Sequence, residues 1–156
     1  MKIAIGADPS GFDLKEAVRK HLEEQNIEYV DLGTLSADVP VEYYDIAPQV
    51  AAGIQNGTYT YGLLFCGTGM GMAQIANSYR GIRAAVCESV YSAKMCRAIN
   101  NSNILSMGGF LVAPHVGIQM VDTFLATEIT EGLDSFHDFL LDAQVKIKEL
   151  EDKLYG

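Results

Sequence analysis

Tyr61-Gly62-Leu63-Leu64-Phe65-Cys66-Gly67-Thr68-Gly69-Met70-Gly71 is an apolar run that stops at a cysteine and turns through three alternate glycines. A short apolar run bounded by glycine reads as a buried strand. A helix is predicted to follow to about residue 79, which makes the segment a strand–turn–helix unit. Such a unit gathers unpaired backbone N–H groups at a helix N-terminus, a combination that attracts anions.

The same alternation extends in both directions. Upstream, residues 2–6 read as a strand, and residues 10–25 as a helix that Ser10 is placed to cap. Phe12, Leu14, Ala17, Val18, His21 and Leu22 form its apolar stripe. Residues 28–32 read as a second strand closed by Gly33-Thr34, and residues 43–54 as a helix carrying Ile46, Ala47, Val50, Ala51 and Ile54. Downstream come a strand at 82–86, a helix at 90–98 and a strand at 103–107 closed by Gly108-Gly109. Helices at about 114–126 and 135–154 complete the chain. Five apolar runs alternating with helices predict a three-layer α/β/α, Rossmann-like fold on a five-stranded parallel sheet with right-handed crossovers. No repeat, low-complexity stretch or linker divides residues 1–156, so a single domain is expected. The C-terminal helix stands outside any strand–helix unit and is the candidate dimer contact.

Composition narrows the class. The chain has 156 residues, 49% apolar and 20% charged, the range of an ordinary globular domain. No apolar run approaches the roughly 18 residues of a membrane span, and Met1-Lys2-Ile3-Ala4-Ile5 runs directly into Gly6-Ala7-Asp8 without a signal-peptide pattern. A cytosolic protein is expected. Its three cysteines lack metal-type spacing and should be reduced. A net charge of −9 argues against nucleic acid as a partner. It also requires that any cations meeting an anionic substrate be few and well placed.

In a parallel sheet, ligands bind beyond the carboxyl ends of the strands. Asp8, the turn at 66–71, and the region 97–103 carry chemistry there. The turn is not a dinucleotide fingerprint, because its third glycine comes one residue early and follows the third strand, and no Lys-Ser/Thr makes it a Walker loop. A thiol at a helix N-terminus ionises more readily, and the same N–H groups can hold a developing oxyanion. A base beside an oxyanion hole, with no metal ligands, suits proton abstraction next to a carbonyl. The alternative is a buried cysteine that merely ends a strand.

Several spaced segments carry a family resemblance: Ile3-Ala4-Ile5-Gly6-Ala7-Asp8, Asp31-Leu32-Gly33-Thr34, Tyr43, and Cys66-Gly67-Thr68-Gly69-Met70-Gly71. Gly81-Ile82-Arg83-Ala84-Ala85 follows, then Ser92-Ala93 with Arg97, Asn100 and Asn103, and Gly108-Gly109. Together, over residues 1 to about 132, they resemble the ribose-5-phosphate isomerase B / galactose-6-phosphate isomerase family. The resemblance implies an aldose–ketose isomerase in which Cys66 moves the proton and Thr68 sits beside it. Backbone at Gly67, Gly69, Met70 and Gly71 would stabilise the enediolate. Asp8, with Pro9 and Ser10, Tyr43 and Asn100, would line the substrate pocket. It further implies no metal or other cofactor, and homodimers or tetramers whose sites are shared between subunits.

The departures cluster. Where the family pattern has Asp-His this chain has Asp8-Pro9, and the histidine expected before Asn100 is Ile99. Gly-Gly-Arg becomes Gly108-Gly109-Phe110, and Gly-Gly-Arg-His becomes Gly132-Leu133-Asp134-Ser135. In the family these residues open the sugar ring and hold the phosphate. A substrate that cannot close a five-membered ring needs no ring-opening acid, and a monoanionic sulfonate needs less positive charge than a phosphate. The expectation is an isomerase of a short acyclic anionic sugar, a tetrose phosphate or a sulfo-tetrose. Ribose 5-phosphate or galactose 6-phosphate isomerisation, a non-catalytic partner subunit, and a nucleotide-binding module remain as alternatives. Replacement anion contacts are sought in His137, Arg83, Arg97 and Ser10, although Arg83 also suits an internal salt bridge. Cys87 and Cys96 read as core.

Overall fold

Strands and helices alternate through the computed structural model, which describes residues 1–156. They are β1 (Ile3–Ala7), α1 (Phe12–Glu24), β2 (Tyr29–Asp31), α2 (Tyr43–Gln55), β3 (Tyr61–Cys66) and α3 (Met70–Ala76). Then come β4 (Ala84–Val86), α4 (Val90–Ala98), β5 (Ile104–Gly108), α5 (Pro114–Ala126), a 3-10 turn at Asp134–Phe136, and α6 (His137–Tyr155). All pairings are parallel, in the order β2-β1-β3-β5-β4.

The strands are apolar runs because both faces of the sheet are covered. With a side-chain period of two, Ile3, Ile5, Ala7, Leu63, Phe65, Leu105 and Met107 face one layer. They pack with Leu14, Val18 and Leu22 of α1, Ala93 and Cys96 of α4, and Met120, Val121 and Phe124 of α5. Ala4, Leu64, Cys66 and Ile104 face the other layer, against Ile46, Ala47, Val50 and Ala51 of α2 and Met72 and Ala76 of α3. Cys87 and Cys96 lie in the core as expected.

Beyond one-residue offsets at element ends, four boundaries differ from the sequence expectation, each for a local reason. Ser10 does not cap α1: Gly11 takes the N-cap position, and its N–H donates to Asp8 Oδ1 at 3.1 Å. The helix after the glycine turn ends at Ala76, where the next amides tighten to i−3 carbonyls (Ser78 to Ile75, Tyr79 to Ala76). Ile82 is not in strand four because its N–H bonds back to Tyr79, and the Arg83 N–H donates to Asn103 Oδ1 at 2.8 Å. The last helix begins at His137, since 134–136 wind as a 3-10 turn.

α6 buries only Leu140 and leaves Phe139, Val145, Leu150 and Leu154 exposed. Its far end is tied to the body by polar contacts. Glu151 Oε1 accepts the Gly81 N–H at 2.5 Å, and Arg80 pairs with Asp152.

Candidate active site

The chain leaves β1 for β2 on one side and returns to pair β3 on the other. This reversal opens a crevice between the carboxyl ends of β1 and β3, where doubly wound sheets bind ligands. Asp8 immediately follows β1, and Cys66 ends β3. The Asp8 N–H donates to Phe65 O at 3.1 Å, so the backbones beside the two side chains are tied together.

The turn after Cys66 is rigidly held. Gly69 adopts φ +80°, and a Cβ there would stand 3.0 Å from the Met107 backbone, so only glycine fits without strain. The buried Ser106 hydroxyl donates to Gly69 O at 2.6 Å, and the Gly109 N–H donates to Cys66 O at 2.7 Å. The Gly69 N–H in turn donates to Cys66 Sγ at 3.0 Å, fixing the direction of the thiol. The Met70 N–H donates to Thr68 Oγ1 at 3.2 Å. Gly69 and Met70 therefore do not offer free amides to an oxyanion, contrary to the sequence reading; each amide already serves a neighbouring side chain. The N–H groups of Gly67, Thr68 and Gly71 have no carbonyl acceptor and remain for a ligand.

Asp8, Tyr43, Cys66, Gly67, Thr68 and Gly71 line one cavity of about 270 Å³. Tyr43, in the first turn of α2, closes one wall; a Cβ on Gly71 would meet its ring at 2.9 Å. Phe110, 72% exposed, lies with its ring where a Gly67 side chain would be. Burial pushes the Asp8 carboxyl above the usual carboxylate range, against the opposing pull of backbone hydrogen bonds from Gly11 and Ser10. Pro9 and Ser10 are exposed beside Asp8 and do not line the cavity. No Lys or Arg lines it either.

Asn100, Arg97 and His137 do not join this group. Arg97, in the last turn of α4, and Asn100, just after it, lie at the amino end of the sheet, whereas Cys66 is aligned with Gly108 at the carboxyl end of β5. A five-residue strand separates them by about 16 Å. Arg97 is buried and fully engaged. Its Nε donates to Thr127 O, its Nη1 to Asn101 Oδ1 and Ser102 O, and its Nη2 to Tyr61 Oη. It is a structural cation and no substrate contact, correcting the sequence reading. Arg83 precedes β4 at this amino end too, and forms no internal salt bridge. His137 is exposed and bonds only Asp138, at 2.9 Å. Ile99, Leu133, Phe136, Phe139 and Leu140 enclose an apolar cavity of about 230 Å³ next to Asn100 and His137.

Two supporting residues escaped the sequence reading. Ser106 sits inside an apolar strand, and its only signal is a hydroxyl among Leu105 and Met107. Lys15 is fully buried in α1, donating to Asp31 Oδ2 at 2.6 Å and to Thr34 O; a lysine between Leu14 and Val18 was the available sign. No group of three or more His, Cys, Asp or Glu is placed to hold a metal ion, and no helix is long and apolar enough to cross a membrane.

Residues 3–137 match the Ribose/Galactose Isomerase family. The chain is 46% identical over 156 residues to a 4-deoxy-4-sulfo-D-erythrose isomerase of Clostridium sp. (strain MSTE9), covering 99% of this chain and 98% of the relative. It is 41% identical over 132 residues to a ribose-5-P isomerase B of Listeria innocua, covering 85% and 88%. The solved ribose-5-phosphate isomerase B of Clostridium thermocellum superposes with a TM-score of 0.88 at 36% identity, covering 99% of both chains.

Proposed function

The chain belongs to the Ribose/Galactose Isomerase family, a family of aldose–ketose isomerases, and we propose that its substrate is a four-carbon sugar with a sulfonate at C4. Cys66 is the base of this reaction. It removes the proton from C2 of the aldose while the C1–C2 double bond forms and the carbonyl electrons move to O1. The N–H groups of Gly67, Thr68 and Gly71 carry the resulting enediolate. The Cys66 thiol returns the proton to C1, the O2 proton passes to O1, and the ketose is left. Thr68 hydrogen-bonds an enediolate oxygen, and Asp8 accepts a substrate hydroxyl.

The observation that carries the substrate class is the 46% identity along the full chain to a 4-deoxy-4-sulfo-D-erythrose isomerase; consistent with it, this chain places no Lys or Arg on its own part of the cavity around Cys66. A phosphate dianion calls for bidentate cations, whereas a sulfonate carries one charge spread over three oxygens. A four-carbon aldose whose C4 hydroxyl is replaced or esterified cannot form a furanose, so Ile99 in place of a ring-opening histidine costs nothing. A tetrose 4-phosphate is the second reading, because it too cannot cyclise.

The position of Asn100 at the opposite end of the sheet from Cys66 supports a homodimer or tetramer with shared sites. In that assembly Asn100 and the apolar cavity beside it complete the site of a second copy, in the cytoplasm. Measuring kcat/KM of the purified chain tests the substrate class. The order expected is 4-deoxy-4-sulfo-erythrose above erythrose 4-phosphate, and both far above ribose 5-phosphate. A preference for ribose 5-phosphate would contradict the proposal.

A further inference from the structure

We propose that a second, separate site at the amino end of the sheet binds a small organic anion bearing a phosphate or sulfonate, held by Arg83, Arg80 and Lys148 beneath α6. The cavity measures about 490 Å³ and is lined only by polar residues and glycine, a size that suits a metabolite. It brings together three of the 11 Lys and Arg residues of a chain whose net charge is −9. Asp152 and Glu151 are the carboxylates beside these three cations, which leaves the cluster with an excess of positive charge.

The cations are not all balanced from within. Arg80 and Lys148 share one carboxylate, Asp152. Glu151, the carboxylate on the cavity wall, accepts the Gly81 N–H at 2.5 Å. Arg83 is half-buried and no carboxylate lies within ion-pair distance of it, in contrast to Arg80 and Lys148. A second donor is also without an acceptor. Gln144 Nε2, on the same wall, is buried from solvent and has no hydrogen-bond partner. A buried amide without a partner is unfavourable, and an oxyanion in this cavity would pair with Arg83, whose guanidinium has no carboxylate of its own.

The site is distinct from the catalytic cavity and from the apolar cavity beside Asn100, for it shares no lining residue with either. Arg83 precedes β4 and Asn101 precedes β5, both at the amino end of the sheet, whereas Cys66 ends β3 at the carboxyl end. Its walls come from α2 (Gln55), the loop into β4 (Arg80, Gly81, Arg83) and α6 (Gln144, Lys148, Glu151). An occupant bridges the C-terminal helix to the body of the domain, which otherwise hold together here through Glu151 and Asp152.

Thermal melting and side-chain NMR of the full chain test this, with glycerol 3-phosphate, inorganic phosphate and chloride at matched ionic strength. At ten times Kd, glycerol 3-phosphate should raise Tm by about 3–5 °C and shift the Gln144 side-chain amide and Arg83 Nε–H resonances. Arg83→Gln and, separately, Lys148→Gln should each lose most of that rise. Tighter binding of glycerol 3-phosphate than of phosphate assigns the site to a metabolite, and equal binding assigns it to the free anion. No rise over chloride, an undiminished rise in both variants, or loss of the rise in Asp8→Asn alone would overturn the proposal. The last result would place the anion in the catalytic cavity.

Discussion

Asp8 carries two opposed demands. In its proposed role it accepts substrate hydroxyls best as an anion, yet burial disfavours that charge and raises its pKa. For a carboxyl raised by burial, the unfavourable contribution to stability is absent below the ordinary carboxylate range. It grows as pH rises and is complete above the folded pKa. Asp8→Asn keeps an oxygen to accept the Gly11 N–H and removes the charge. The variant should melt higher than the parent at neutral pH, with the gain vanishing in acid, while kcat/KM falls by about 10–100-fold. If Asp8→Asn instead melts lower at neutral pH and regains parity in acid, Asp8 stabilises the fold as an anion. Residue-level chemistry was partly legible in the sequence. Cys66, Thr68, Asp8 and Tyr43 all stand out there, and the structure gathers them in one cavity. The division of labour among the amides was not legible, because only geometry reveals that Gly69 serves the sulfur and Met70 the Thr68 hydroxyl.

Elements are legible where periodicity is strong and obscure at their ends, where single hydrogen bonds decide. α2, α4 and α5 fall where their apolar stripes put them, whereas the first strand-to-helix turn differs because Asp8 serves Gly11 in place of a Ser10 cap. Lys15 is the clearest instance of what patterning conceals. On α1 it looks like a break in an apolar stripe, yet its amine ties the helix to the ends of β2 and the loop at Thr34. Lys15→Met would leave Asp31, only 11% exposed, without its cation. Removing one partner of a buried pair is destabilising by about 3–5 kcal/mol, so the midpoint of urea unfolding should drop markedly with an unchanged slope. A loss below about 1 kcal/mol would mean the pair contributes little beyond packing.

At the scale of the whole molecule, the fold separates two sets of residues that the family resemblance assigns to one site. Cys66 and Asp8 lie at the carboxyl end of the sheet, and Asn100 at the amino end. No rearrangement inside a chain built on a rigid parallel sheet brings them together. A linear sequence shows both sets but not that strand direction sends them to opposite poles, which is why Arg97, Asn100 and His137 read there as neighbours of the turn. Sharing between copies makes a definite prediction for mixed assemblies. Cys66→Ala and Asn100→Ala should each be nearly inactive alone. Unfolded together and refolded as a dimer, they should recover about a quarter of parental activity, since half the dimers are mixed and each has one intact site of two. No recovery would mean that each site is complete within one chain.

Both the proposed substrate class and the proposed shared site presuppose the proton transfer proposed for Cys66 beside a carbonyl. Incubating the chain with 4-deoxy-4-sulfo-erythrose in deuterated buffer and following deuterium at C2 of the aldose and C1 of the ketose tests that step directly. The parent should incorporate deuterium at these carbons, and Cys66→Ala should do so at least 100-fold more slowly, an order of magnitude of about 10²–10⁴ being usual for a lost base. The variant should keep the parental melting temperature within a few degrees. Equal incorporation by the variant and the parent would contradict the assignment of the base, and with it the reading of the glycine turn.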